Sequence, residues 1–216
     1  MTYEAVLFDL DGTLLDTLED IADSTNRALD YFGFPQHKAE AYKYFIGDGR
    51  EALAVRALPE HNRDTATVGK LVARMGEEYA AHWSDNTRPY KGVPELLDAL
   101  TALGISISIL SNKPHDFTEL MVSRLLRQWR FHIVVGALPD IPKKPSPVAA
   151  LDIAKRLNLK PGEFLYVGDS DVDMKTAVSA GMYPVGAVWG FRTAQELVAG
   201  GAKVLIEKPT DLLKLL

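Results

Sequence analysis

Short apolar runs alternate with amphipathic stretches along most of this chain, and that alternation limits its fold more than any other feature. Ala5–Phe8 and residues 105–110, 131–135, 164–167, 184–188 and 203–206 read as strands. Helical spacing fills most of the intervals between them; Leu96, Leu97, Leu100 and Leu103, for instance, share one face of a helix closed by Gly104. Strands separated by helices pair through crossovers rather than hairpins, which gives a parallel sheet covered by helices. The predicted fold class is α/β, with a Rossmann-like parallel sheet as its core.

The alternation breaks once. Between residues 16 and 88 nothing reads as a strand. Ile21, Ala22, Thr25, Ala28, Leu29 and Phe32 recur at helical spacing until Gly33 and Pro35 stop them. Thr17 and Asp20 have the spacing of a capping box at the start of that helix. Further helices are predicted over 50–58 and 64–82, the second with an apolar face of Val68, Leu71, Val72, Met75 and Tyr79. The predicted organisation is a core of residues 1–15 and 89–216 carrying a helical insert at 16–88.

Composition narrows the function classes. The chain has 216 residues, with 29 acidic against 24 basic side chains and a formal net charge of -5. Without a basic stripe, nucleic acid is not an expected partner. There is no cysteine, so thiolate nucleophiles, disulfides and Cys-based zinc sites are excluded. No apolar run approaches the roughly 20 residues of a membrane helix, and no signal peptide is visible. A cytoplasmic location is expected, with no membrane association.

Chemistry concentrates at the ends of the predicted strands. Asp9 and Asp11 directly follow the apolar run Ala5–Phe8, with Gly12 and Thr13 next. Strand ends at the carboxyl edge are where open α/β sheets bind ligands. Two carboxylates there repel unless a cation or a shared proton relieves them. Ser111 and Asn112 end another strand, and Asp169, Ser170 and Asp173 end a third; Lys144 lies in the long Pro- and Lys-rich loop 136–147. Taken singly, each has a plain reading: Asp11-Gly12 as a turn, Ser111 as a helix N-cap, Lys144 as a solvated loop lysine, Asp173 as a first-turn acid, and Trp189 and Phe191 as packing. Together they make a set of oxygen ligands suited to Mg²⁺, with a hydroxyl and an ammonium suited to a phosphoryl group. A carboxylate in such a set can itself be the nucleophile.

These residues resemble the haloacid dehalogenase superfamily, and within it the phosphoglycolate phosphatase group with a helical cap. Asp9-Leu10-Asp11-Gly12-Thr13, Ser111-Asn112-Lys113, Lys144-Pro145 with Pro147, and Gly168-Asp169-Ser170-Asp171-Val172-Asp173 match that superfamily's motifs in order. The resemblance implies that Asp9 attacks phosphorus while Asp11 serves as acid and then base. Mg²⁺ would be held by Asp9, the Asp11 carbonyl and Asp169, supported by Gly12, Ser170 and Asp173. Thr13, Ser111, Asn112 and Lys144 would hold the phosphoryl group. The segment 16–88 would act as the cap, with Arg50 of the loop 46–50 pairing with a substrate carboxylate; Asp48 in the same loop would repel an anion. The implied activity is Mg²⁺-dependent hydrolysis of a small phosphorylated metabolite, 2-phosphoglycolate first. Alternatives are a sugar phosphomutase, a phosphatase for pyrophosphate or sugar phosphates, and a non-catalytic binding protein on this fold. No oligomeric state is implied.

Overall fold

The computed structural model describes residues 3–216. In chain order its strands are β1 (Ala5–Phe8), β2 (Leu15–Asp16), β3 (Arg88–Pro89), β4 (Ser106–Pro114), β5 (Ile133–Ala137), β6 (Phe164–Gly168), β7 (Tyr183–Ala187) and β8 (Val204–Ile206). The helices are α1 (Leu18–Tyr31), α2 (Ala39–Phe45), α3 (Arg50–Ala57), α4 (Thr65–His82), α5 (Val93–Ala102), α6 (His115–Leu125), α7 (Val148–Arg156), α8 (Asp171–Ala180) and α9 (Ala194–Gly200). They form two compact units, residues 16–88 and the other described residues, 3–15 with 89–216.

The larger unit is the predicted parallel sheet, six strands in the order β5-β4-β1-β6-β7-β8. β1 and β6 are buried along their whole length, which explains why their sequences run apolar without alternation: helices cover both faces. Leu7, Phe164, Tyr166, Ile153 and Met182 pack into one cluster beneath the sheet, each apolar side chain contributing about 1.5–3 kcal/mol on burial. Phe8 lies level with Ile109 of β4 and Val167 of β6. Asp9 and Asp169 therefore follow the carboxyl ends of β1 and β6, and Ser111, inside the longer β4, lies just past the level of Phe8, beside the point where the strand order reverses.

Two details of this unit differ from the sequence reading. β4 does not end at residue 110 but stays extended to Pro114, because its pairing with β5 shifts register between Leu110 and Pro114. Ser111 consequently lies within a strand, and Pro114 takes the N-cap position of α6. The short helix α9, held by a Thr193–Glu196 capping box, is too brief for its periodicity to show.

In the unit of residues 16–88, α1 packs along α4, and α3 packs against α4. Asp64 caps α4 by accepting from the N–H groups of Ala66 and Thr67 at 3.1 and 3.0 Å. The expected Thr17–Asp20 capping box does not form, since Thr17 makes no side-chain cap bond. Asp20 instead accepts from Thr87 N and Oγ1 at 2.8 and 2.7 Å and from Asn86 N at 2.9 Å. A carboxylate buried in the first turn of α1 is better satisfied by that returning segment than by one backbone N–H. α2 was not legible because only Tyr42 of its seven residues is buried. That ring donates its hydroxyl to Asn26 at 2.7 Å, and Asn26 in turn clamps the backbone of His37 through both ends of its amide.

Candidate active site

The turn after β1 folds on itself. The N–H groups of Thr13, Leu14 and Leu15 converge on the Leu10 carbonyl, so a tight loop carries Asp9 and Asp11. Gly12 has φ +81°, and a Cβ there would overlap the Asp169 carboxylate. Both facts demand glycine. Asp9 accepts from the Leu10 N–H at 2.7 Å, and Thr13 donates Oγ1 to Asp169 Oδ1 at 3.1 Å.

Asp9, Asp169 and Asp173 are all buried, with carboxylate oxygens within 4.8 Å of one another. Lys144 Nζ lies 2.9 Å from Asp9 Oδ1 and 2.6 Å from Asp173 Oδ1, its side chain only 2% exposed. It is therefore no solvated loop lysine. Asn112 sets its position: the amide donates to the Lys144 carbonyl at 3.0 Å and accepts from the Lys144 N–H at 2.9 Å. Asp173 sits at the third position of α8, where its second oxygen accepts from Ser170 Oγ at 2.5 Å and Ser170 N at 3.1 Å. The cap thus aims this first-turn carboxylate at Lys144.

Asp11 lies apart from this group. Both of its oxygens accept from Lys113 Nζ at 3.1 Å, and the lysine side chain is 5% exposed. The place of Lys113 in the Ser111-Asn112-Lys113 motif does not by itself give it a role. The signal was present, since residues two apart on an extended strand share a face and Ser111 and Lys113 are so spaced. Ser111 is buried, and its hydroxyl accepts from the Lys113 N–H at 3.3 Å. Trp189 does more than pack: its indole N–H donates to the Thr13 carbonyl at 3.0 Å. Arg50 belongs to the other unit, where it begins α3 half-exposed, 3.8 Å from Glu51. Asp48 in that unit is paired with Arg56, which cancels the charge expected to repel an anion.

The electrostatics of the cluster follow from its burial and its like charges. Burial, then the Asp173 charge, pushes the Asp9 carboxyl from its usual 3.8 to about 7 against the pull of Lys144. Asp169 is raised well above the carboxylate range by burial and by Asp173 and Asp9, with the Phe191 N–H and Thr13 opposing. Burial works against the charge of Lys144, yet Asp173 and Asp9 outweigh it and hold the ammonium well above its usual range. Three buried carboxylates against one ammonium leave negative charge uncompensated. All-oxygen donors at this spacing fit a small hard cation with open coordination positions, which would return Asp9 and Asp169 to the ionised form.

A parallel α/β sheet with an acid–lysine centre at its switch point defines an enzyme core working at adjacent strand ends. The sequence profile of the haloacid dehalogenase-like hydrolases matches residues 6–187, and the chain belongs to that family. It is 32% identical to the phosphoglycolate phosphatase of Chromobacterium violaceum, over 98% of this chain and 96% of that one. It is 29% identical to the phosphoglycolate phosphatase of Aquifex aeolicus, over 98% and 95%. A solved structure from Lactobacillus delbrueckii subsp. bulgaricus, provisionally named a phosphoglycolate phosphatase, superposes with a TM-score of 0.93 at 27% identity, covering 100% of this chain and 98% of the other.

Proposed function

We propose that this chain is a Mg²⁺-dependent phosphatase that hydrolyses a small phosphomonoester through a phosphorylated Asp9, with 2-phosphoglycolate the leading substrate. The observation that carries the reading is Asp9 itself: a buried carboxylate at a strand end, beside Lys144 and grouped with Asp169 and Asp173. The names of the relatives support the substrate class.

Asp9, Asp169 and the carbonyl of Asp11 would hold the cation, which when bound supplies positive charge to phosphoryl oxygens. Asp9 attacks phosphorus, forming a carboxyl O–P bond as the bond to the leaving oxygen breaks. Asp11 gives its proton to that oxygen, then takes one from the water that cleaves the phospho-Asp9 and releases phosphate. The pair with Lys113 holds Asp11 as the carboxylate, the form that serves as base; for the acid step Asp11 must leave that lysine and take up a proton when substrate binds. Lys144 donates to Asp9 and Asp173, and its ammonium supplies positive charge to the phosphoryl oxygens. Ser111 Oγ adds a neutral donor. Asn112 acts through the Lys144 backbone, and Thr13 through Asp169. Substrate choice is assigned to residues 16–88, with Arg50 as partner for a carboxylate.

Phosphate release with Mg²⁺ is the test, over 2-phosphoglycolate, sugar phosphates and pyrophosphate. Release from monoesters, abolished in Asp9→Asn with an unchanged circular dichroism spectrum, is expected. Full activity in that variant removes Asp9 as nucleophile. Hexose phosphate interconversion without free phosphate makes the chain a mutase, and no turnover on the whole panel refutes the hydrolase reading.

A further inference from the structure

The turn that follows β7 touches both acidic loops, and none of its contacts is needed by the chemistry above. Trp189 Nε1 donates to the Thr13 carbonyl at 3.0 Å. Two residues on, the Phe191 N–H donates to Asp169 Oδ2 at 2.7 Å. Between them the Gly190 backbone presses on the site, and a Cβ there would overlap the Asp169 side chain and the Gly12 carbonyl oxygen. Thr13, the residue Trp189 anchors, closes the circuit by donating to Asp169 Oδ1.

Asp169 therefore receives one protein donor on each oxygen. A carboxylate oxygen has two lone pairs, so one direction on each is left for a cation. Asp9 and Asp173 repel Asp169 when all three are ionised. Unrestrained, the side chain would rotate to relieve that repulsion. The Phe191 N–H and the Thr13 hydroxyl hold it, and Trp189 and Gly190 fix the backbone from which those donors act.

We propose that the turn Trp189-Gly190-Phe191 is the positioning element for Asp169, with Trp189 as its anchor. This rests on the cation assignment made above, in which Asp169 is a ligand. Partners one step behind a ligand typically change metal affinity by about 10–100-fold when removed. Trp189 is two hydrogen bonds from Asp169, so the lower figure applies to it. Gly190 abuts Asp169 directly, so the higher one applies there.

The test is isothermal titration calorimetry with MgCl₂ alone, well below the melting temperature, on wild type, Trp189→Phe, Gly190→Ala and Asp169→Asn. Trp189→Phe keeps an aromatic ring in a half-buried place and removes only the indole donor. The expected result is a Kd for Mg²⁺ raised about 10-fold in Trp189→Phe and further in Gly190→Ala. A Kd within twofold of wild type in Trp189→Phe overturns the anchor role. If that variant does not fold, an unchanged Kd in Gly190→Ala overturns the positioning element. Asp169→Asn separates the two levels: if it binds Mg²⁺ as tightly as wild type, the cation assignment itself is wrong, whatever the Trp189 variant does.

Discussion

Replacing Lys144 with Met is the perturbation that reaches most directly into this site. Met keeps nearly the same length and volume, so little cavity forms and the change is electrostatic. What it removes is the ammonium 2.9 Å from Asp9 and 2.6 Å from Asp173, in a place where the lysine side chain is 2% exposed. Breaking a buried ion pair from one side leaves an uncompensated charge and costs about 3–5 kcal/mol. Asp9, already raised to about 7 beside the lysine, takes up a proton once the ammonium is gone, so one of the two orphaned charges is relieved and the lower part of that range applies in metal-free protein. For a chain of this size the loss lowers the melting temperature by about 10 °C. Urea denaturation in EDTA measures it. Added MgCl₂ should return most of the loss, about 3 kcal/mol at a hundred times Kd, if a cation binds the folded cluster. The double variant with Asp173→Asn should lose less than the sum of the single changes by about 1–3 kcal/mol, because one of the orphaned charges is gone. A Lys144→Met destabilisation under 1 kcal/mol in EDTA would show that the lysine does not hold this cluster together.

Two further outcomes follow from other parts of the chain. In metal-free protein the Asp9 carboxyl is raised from 3.8 to about 7, so the native state keeps a proton that the unfolded chain has already lost; the stability from this group is full below about pH 4 and disappears as pH rises through 7. Urea midpoints in EDTA from pH 5 to 8 should fall steadily, and a flat profile contradicts the buried carboxylate cluster. Asp64→Ala removes the side-chain cap of α4 and should cost about 1 kcal/mol by urea denaturation without changing kcat; no loss of stability argues against that cap.

The class of fold was readable because its signal is local. A buried strand such as Ala5–Phe8 has to be apolar on both faces, and the helices between strands declare themselves by spacing. Where an element carries few buried positions, as α2 does, the signal vanishes. Capping chemistry was less dependable: Thr17 and Asp20 have the right spacing, but Asp20 found better partners in Asn86 and Thr87. Periodicity near one end of a helix cannot reveal a competitor 66 residues away.

For the site the division is sharper. The sequence alone determines that Asp9 and Asp169 stand at strand ends, since a run of apolar residues closing on either is a local pattern; Ser111 follows such a run too, but β4 continues past it to Pro114. It also shows Gly12 beside them. Only the tertiary structure decides how they are shared out. Placing β4 and β6 on either side of β1 puts Lys113 on Asp11, Lys144 between Asp9 and Asp173, and the Trp189–Phe191 turn against Thr13 and Asp169. Those pairings join residues as much as 176 positions apart. They follow from strand order and register, which local spacing does not encode, and they separate Asp9, beside Lys144 in the carboxylate cluster, from Asp11, held by a lysine of its own.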